Sequence, residues 1–293
     1  MWPASVDLTG RFSEAVAYAL AAHHGQRRTG TEVPYASHLL AVAVAVLEHG
    51  GTELQATAAV LHDVVEDQGG AARLVEVGER FGDEVAELVE LLSDEVLVDG
   101  AARSPWAERK RDHLAVLARL VAEDHPAALV ALCDKLHNAD AIVADAEDPG
   151  GPGDAVWDRF SGGRAEIAWY YRTLAEVFAG GRLPARAVRR FTGLVRRLEV
   201  LATGVAGEVQ VRPELDHASA VPVSEQLAEA LRAEVCDGLL PPRARLPSVR
   251  ALAAELGLAP NTVAKVYRQL ESEGVVETRG RQGTRVAGAT PPA

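Results

Sequence analysis

The sequence predicts a mainly α-helical protein in which a long all-helical domain precedes a small domain of three helices and a β-hairpin. Three observations support this fold class. The chain has 293 residues, which exceeds the usual size of one compact domain. Apolar residues make up 48% of it and charged residues 25%, as in globular proteins. Apolar residues also recur at three-to-four spacing through most of the chain, which is the period of an amphipathic helix.

Nine segments before residue 204 have this helical period, and glycine or proline lies in most of the breaks between them. No segment of this part has the alternating pattern of a strand. We therefore expect an all-helical domain over residues 1–203. Its predicted helices cover residues 11–24, 38–49, 53–66, 71–81, 83–93, 107–123, 125–146, 161–179 and 184–203.

The pattern changes after residue 203. Residues 204–221 contain glycine, alanine and proline without a helical period, which predicts a linker. Three helices and two short β-branched runs follow, and this order is typical of a winged helix-turn-helix domain. We place that domain at residues 222–288, with a tail at 289–293. Its predicted elements are helices at 224–237, 249–256 and 261–273 and strands at 275–278 and 284–287.

Composition and charge narrow the class of protein. Cys133 and Cys236 form neither a CxxC pair nor a secreted cysteine framework, and the longest apolar run, residues 39–47, is too short to cross a bilayer. We therefore expect a cytoplasmic protein with no membrane partner. The net charge is −12, but residues from 222 onwards contain 9 Lys+Arg against 8 Asp+Glu, so a local basic surface is possible there.

One predicted helix of the first domain has an unusually polar flank. His62 and Asp63 are followed by Glu66 and Asp67, so that each pair lies one helical turn apart on the same flank. Burying such a flank is costly unless something compensates it, and a divalent cation would do so. His62 and Asp63 are therefore candidate metal ligands, and the second pair is a candidate for positioning water.

Two further segments are able to complete this site. His38 opens an apolar run, and Asp134 precedes Asn138 by one helical turn. Two imidazoles and two carboxylates suit Mn, Fe or Zn rather than Ca. The residues alone leave a structural role open, since a His-Asp pair in a helix is common by chance, and His137 is interpreted as structural.

The motifs of this domain resemble those of the HD-superfamily alarmone hydrolases, the Rel/Spo-type enzymes and their small stand-alone relatives. The resemblance spans about residues 12–180, although Leu39 stands where a proline is common. It implies a helical domain that holds one Mn²⁺ ion, with Fe²⁺ or Zn²⁺ as alternatives, and removes the 3′-diphosphate of guanosine 3′,5′-bis(diphosphate), ppGpp. The motifs are Gln-Arg-Arg-Thr-Gly at 26–30, Pro-Tyr-Ala-Ser-His at 34–38, Leu-His-Asp-Val-Val-Glu-Asp at 61–67, Phe-Gly at 81–82 and Asp-Lys-Leu-His-Asn at 134–138.

The resemblance also implies a role for each candidate residue, and a phosphorylated guanine nucleotide as the partner. Glu66 and Asp67 match the acidic pair that activates or positions the attacking water. Arg27, Arg28 and Asn138 match substrate-binding residues. The implied metal ligands are His38, His62, Asp63 and Asp134.

The last domain contains residues suited to DNA. The third predicted helix buries an apolar face and exposes Asn261, Thr262, Lys265 and Arg268, so that its amino end suits a major groove. Arg281 lies in the loop of the predicted hairpin, as in a wing that follows the DNA backbone.

The motifs of this domain include Leu-Pro-Ser-Val-Arg at 246–250, Asn-Thr-Val at 261–263 and Tyr-Arg-Gln-Leu-Glu at 267–271. Together they resemble the GntR-family winged helix over the whole length of the domain. The resemblance implies a homodimer on a double-stranded DNA operator. The residues that it implies near DNA are Arg245, Ser248, Arg250, Thr262, Lys265, Arg268 and Gly283.

Both domains together predict a (p)ppGpp 3′-pyrophosphohydrolase-like domain coupled to a DNA-binding transcriptional regulator. The alternative is a non-catalytic, nucleotide-sensing transcriptional repressor. A third hypothesis is a housekeeping phosphohydrolase whose winged helix mediates protein contacts.

Overall fold

The computed structural model describes residues 6–97, 102–148, 150–203, 211, 213, 215–236, 238–280 and 283–288. The chain forms two compact units, Met1–Phe191 and Thr192–Ala293. Arg281, the tail at 289–293 and much of the expected linker lie outside the described residues. The domain limits at residues 203 and 222 stay a prediction. No helix among the described residues is long and apolar enough to span a membrane.

The helices before residue 204 begin and end close to the predicted positions. The bounds are α1 Gly10–Ala22, α2 Ala36–Glu48, α3 Glu53–Leu61, α4 Val64–Gln68, α5 Gly70–Phe81, α6 Asp83–Leu92, α7 Trp106–Ala122, α8 Ala127–Glu147, a 3₁₀ helix Gly153–Arg159, α9 Gly163–Ala179 and α10 Ala185–Thr203. The described residues of this part contain no strand, so the expected all-helical class is confirmed.

The prediction of one continuous helix over residues 53–66 is wrong. The structure has two helices there, α3 and α4, with His62 and Asp63 between them. In an unbroken helix the Ala59 carbonyl would accept a hydrogen bond from the amide of Asp63. Here the Nδ1 of His62 lies 2.7 Å from that carbonyl oxygen and takes its place. The ladder resumes with the bond from Asp67 N to Asp63 O, 2.9 Å long.

Helix α8 forms the centre of the first unit, where it contacts α2, α3, α6 and α7. Its first seven residues, 127–133, are all buried, which explains why this stretch has no polar face. Leu39 of α2 and Leu61 of α3 are fully buried as well. Residues from α2, the α3–α4 junction and α8 are thereby held close to one another.

The second unit contains α11 Val223–Cys236, α12 Val249–Leu256, α13 Pro260–Ser272, β1 Val276–Thr278 and β2 Thr284–Val286. The two strands are antiparallel, with Val276 opposite Val286. Ser248 caps α12 by accepting a hydrogen bond from Ala251 N, and Gly257 ends the helix in the left-handed region at φ 65°. The expected order of a winged helix-turn-helix is confirmed.

Candidate metal centre and adjoining cavity

Four side chains predicted as metal ligands converge in the first unit. His38 is in the first turn of α2, His62 and Asp63 join α3 to α4, and Asp134 is in the first half of α8. The Nε2 atoms of His38 and His62 lie 3.2 Å apart. Asp63 Oδ2 is 3.4 and 3.0 Å from these two nitrogens, and Asp134 Oδ1 is 3.2 and 3.6 Å from them. We call these four residues the metal-ligand cluster.

The cluster fits a divalent metal ion in its spacing and in its chemistry. Nitrogen and oxygen ligands about 2.0 to 2.2 Å from one ion are roughly 3 Å apart, close to the 3.0 to 3.6 Å that separates the two imidazole nitrogens from each other and from the two carboxylate oxygens. The ligand atoms of His38, His62 and Asp134 all lie within 4.8 Å of one another. His38, His62 and Asp134 are only 1%, 3% and 6% exposed. Asp134 already pairs with Lys135 Nζ at 2.7 Å, and a cation bound to the cluster would add a positive partner for both carboxylates.

Within the cluster, each charged side chain shifts the pKa of its neighbours. Burial alone would lower the pKa of His62, but Asp63 and Asp134 raise it well above its ordinary value. Burial likewise opposes ionisation of Asp134, yet Lys135 and the two imidazoles hold its pKa well below the usual range. The imidazolium form of His62 thus stabilises the carboxylates, and a bound metal ion would displace that proton.

Neighbouring groups fix the orientation of each ligand. The His62 ring is held by the Ala59 carbonyl, as described above. Tyr35 donates its hydroxyl to Asp63 Oδ2 over 2.6 Å, and Asn138 Nδ2 donates to Asp134 Oδ1 over 2.6 Å. His38 Nδ1 lies 2.9 Å from His137 Nδ1. His137, interpreted from the sequence as structural, is thus in direct contact with a candidate ligand.

Glu66 and Asp67 lie on α4, next to the cluster. Glu66 accepts a hydrogen bond of 3.1 Å from the amide of Asp94 and pairs with Arg103, and Asp67 accepts one of 2.8 Å from Gln26 Nε2. Burial raises the pKa of both carboxyls, and the charge of Asp63 raises them further. A carboxylate with a raised pKa is a better proton acceptor than an ordinary one.

A cavity of about 280 Å³ adjoins the cluster, since Tyr35, Lys135 and Asn138 belong both to its lining and to the surroundings of the ligands. Its wall combines cations with aromatic rings, which suits a phosphorylated ligand with a flat base. The cations are Arg28, Lys110, Lys135 and Arg159, and the aromatic residues are Tyr35, Trp106, Phe160, Tyr170 and Tyr171. Asp145 also lines the cavity and pairs with Arg159.

Of the three candidate substrate-binding residues, Arg28 and Asn138 line the cavity and Arg27 does not. Arg28 lines the cavity, and its Nη2 donates to Asn138 Oδ1 over 3.0 Å. Arg27 is exposed and lines a separate surface pocket. The backbone pairs Arg27 with Pro34, and in such an extended segment consecutive side chains point to opposite sides.

Several residues of the cavity wall do not belong to the predicted site. Lys135 lies inside a motif that the sequence singled out, and its Nζ is 2.7 Å from Asp134 Oδ2. Arg159 had no signal, because it belongs to a 3₁₀ helix in a region that reads as a loop. Tyr170 and Tyr171 are buried and also line the cavity.

The residues predicted to approach DNA lie at the surface of the second unit. Thr262 and Gly283 are partly exposed, whereas Arg281 is outside the described residues. In the part of the chain that the structure describes, no acidic side chain forms an ion pair with Arg245, Arg250, Lys265 or Arg268. Their charges are therefore available to DNA phosphates. The exposed members are Arg245, Ser248, Arg250, Asn261, Lys265 and Arg268.

Residues 15–156 match the family model of the HD domain, and residues 223–286 match that of the bacterial regulatory proteins of the gntR family. The HTH-type transcriptional regulator Rv1152 of Mycobacterium tuberculosis is 54% identical over 68 residues, which cover 22% of this chain and 56% of that protein. The HTH-type transcriptional repressor YtrA of Bacillus subtilis is 38% identical over 74 residues, covering 25% and 57%.

The first unit has relatives of a different kind. The GTP pyrophosphokinase rsh of Brucella melitensis is 32% identical over 136 residues, which cover 46% of this chain but only 17% of that protein. A solved structure described as "A metazoan ortholog of SpoT hydrolyzes ppGpp and plays a role in starvation responses" has 24% sequence identity and a TM-score of 0.46, covering 67% of this chain and 96% of that chain. The chain spans little more than half the length of the two regulators.

Proposed function

We propose that this chain, which joins an HD domain to a GntR-family DNA-binding domain, is a metal-dependent phosphohydrolase of ppGpp or a related nucleotide and also a DNA-binding regulator. The observation that carries the enzymatic part is the convergence of two imidazoles and two carboxylates beside a cavity lined with cations and aromatic rings. An active-site function requires such a pairing of a metal site with a ligand cavity.

His38, His62, Asp63 and Asp134 would hold the ion, for which we propose Mn²⁺, with Fe²⁺ and Zn²⁺ as alternatives. When bound, a divalent cation supplies a Lewis acid that polarises a phosphoryl oxygen and makes water more acidic. Glu66 and Asp67 accept or orient the proton of the attacking water, which their raised pKa values favour. Asp94 N and Gln26 Nε2 hold these two carboxylates in place.

The cavity residues bind the nucleotide. Lys110, Lys135 and Arg159 of the cavity wall already pair with Asp94, Asp134 and Asp145, whereas Arg28 is held by the uncharged Asn138. Arg28 and the proposed metal ion therefore supply most of the positive charge that offsets the diphosphate groups. The aromatic residues give the base an apolar surface on which to stack. Asn138 fixes the position of Arg28 through its side-chain oxygen.

For the second unit we propose that a homodimer binds a palindromic DNA operator through the exposed residues of α12 and α13. Among the described residues, no acidic side chain pairs with Arg245, Arg250, Lys265 or Arg268. This supports the proposal, because most of the affinity for DNA comes from contacts between cations and phosphates. Nucleotides and DNA both occur in the cytoplasm, where we expect the protein to act.

A hydrolysis screen tests the enzymatic part. Full-length protein with Mn²⁺ is incubated with phosphorylated nucleotides, and the products of ppGpp are expected to be GDP and pyrophosphate. The Asp63→Ala variant is expected to lose this activity, because it removes one of the four ligands. Binding of ppGpp without any hydrolysis, by a metal-loaded protein, would contradict the proposal and favour the non-catalytic sensor.

A further inference from the structure

We infer that His137 is a positioning residue whose imidazole fixes the tautomer and orientation of the metal ligand His38. The two ligand imidazoles are supported differently. Nδ1 of His62 donates to a backbone carbonyl, which no side-chain substitution removes. Nδ1 of His38 instead faces a side chain, that of His137, at 2.9 Å. The inference rests on the metal centre proposed above, but not on the identity of the nucleotide.

The position of His38 decides which nitrogen of its ring carries the proton. Its Nε2 faces the other ligands, 3.2 Å from Asp134 Oδ1 and 3.4 Å from Asp63 Oδ2. A metal ion accepts the lone pair of an unprotonated nitrogen, so the proton of a neutral His38 must be on Nδ1. His38 Nδ1 therefore donates, and His137 Nδ1 must accept with its own lone pair.

The geometry of the two rings agrees with this bond. A separation of 2.9 Å is normal for a hydrogen bond from N–H. The ring centroids are 4.9 Å apart and the planes are tilted by 42°, so the rings do not stack. His137 follows Asp134 by three residues on α8, so the two lie on the same face of that helix. Helix α8 thus supplies one ligand and orients another.

Arg28 makes a weaker contact with the same nitrogen. Its Nη1 is 3.5 Å from His137 Nδ1, whereas its Nη2 is 3.0 Å from Asn138 Oδ1. The single lone pair of His137 Nδ1 accepts the closer donor, which is His38. The guanidinium of Arg28 is consequently directed by Asn138 and stays on the wall of the cavity.

Metal affinity tests the inference in the full-length protein. We expect His137→Phe, which keeps the ring but removes the acceptor, to weaken Mn²⁺ binding by roughly 10- to 100-fold in calorimetric titrations. His137→Asn retains an acceptor oxygen and is expected to restore most of the affinity. His113→Phe is the control, because it makes the same substitution at a histidine that is even more buried, at 3% exposed, and whose Nδ1 lies 3.7 Å from Asp94, which is not a ligand.

Unchanged affinity in a folded His137→Phe protein would overturn the inference. If that variant does not fold, nitrogen NMR of the wild-type protein with Zn²⁺ decides instead. We expect a proton on Nδ1 of His38 and on Nε2 of His137, and a proton on Nδ1 of His137 would overturn the inference. The expected loss of Mn²⁺ affinity in His137→Phe, combined with no hydrolysis of any nucleotide by the metal-loaded wild-type protein, would refute only the proposed function.

Discussion

In the buried region around the metal-ligand cluster, charged side chains pair with side chains of opposite charge. Outside the cluster itself, Asp94 is the clearest example. Its carboxylate pairs with Lys110 and lies 3.3 Å from Arg109, while its amide supports Glu66. The side chains of Asp94 and Lys110 are 6% and 16% exposed, so that solvent screens this pair only weakly.

Asp94→Asn is therefore expected to destabilise the protein, because it leaves Lys110 and Arg109 without their acidic partner. Removing one member of a buried ion pair costs about 3 kcal/mol. Urea unfolding measures the change, and Glu108→Gln, an exposed position on the same helix as Lys110, is the matched control with little expected effect. Equal stability of Asp94→Asn and the control would show that this pair is unimportant.

His113 makes stability depend on pH. Burial, and then the charge of Lys135, lower its pKa from 6.5 to about 4. Between these values the unfolded chain binds a proton that the folded chain does not, so the free energy of unfolding falls as the pH decreases from 6.5 to 4.

The His113→Phe variant cannot bind this proton. We expect its stability to fall less than that of the wild type over the same range, by about 3 kcal/mol if the whole shift is realised. Denaturant unfolding at several pH values measures the difference. Parallel pH profiles of the two proteins would mean that His113 is protonated while the protein is folded.

At the level of helices and strands, most of the fold follows from the period of the apolar residues. The period predicts α12 at residues 249–256, where the structure has Val249–Leu256, because Ser248 and Gly257 cap it at both ends. It does not predict the break between α3 and α4, since that break comes from a side chain that competes with the backbone for one carbonyl. The 3₁₀ helix Gly153–Arg159 is missed because glycine and proline surround it.

The candidate site is predictable to a similar degree. The spacing of motifs predicts which residues of α2, the α3–α4 junction and α8 belong together, and the structure brings them within hydrogen-bonding distance. Spacing does not predict that the side chain of Arg28 lines the cavity while that of Arg27 does not, because this difference depends on the local extended backbone. It also does not find Arg159, because only tertiary packing carries that residue to the cavity.

Across the whole molecule, charge is distributed unevenly. The net charge of −12 would repel both nucleotides and DNA, and each proposed binding surface counters it with its own cations. Binding to DNA should therefore depend on few residues and strongly on salt.

Lys265→Ala is expected to weaken binding to random-sequence duplex DNA and to reduce the slope of log affinity against log salt by about 1. Fluorescence anisotropy over a series of salt concentrations measures both. Arg232→Ala is the control, because Arg232 already pairs with Glu273 at 2.8 Å. If both variants change the slope equally, the unpaired cations of α13 have no special part in DNA binding.

Anomalous X-ray diffraction from crystals of the full-length protein grown with Mn²⁺ tests most directly whether four distant residues hold one ion. We expect a single strong peak in the first unit, about 2.1 Å from Nε2 of His38 and His62 and from carboxylate oxygens of Asp63 and Asp134. A peak elsewhere, or none among these four side chains, would contradict the metal centre and with it the hydrolytic function.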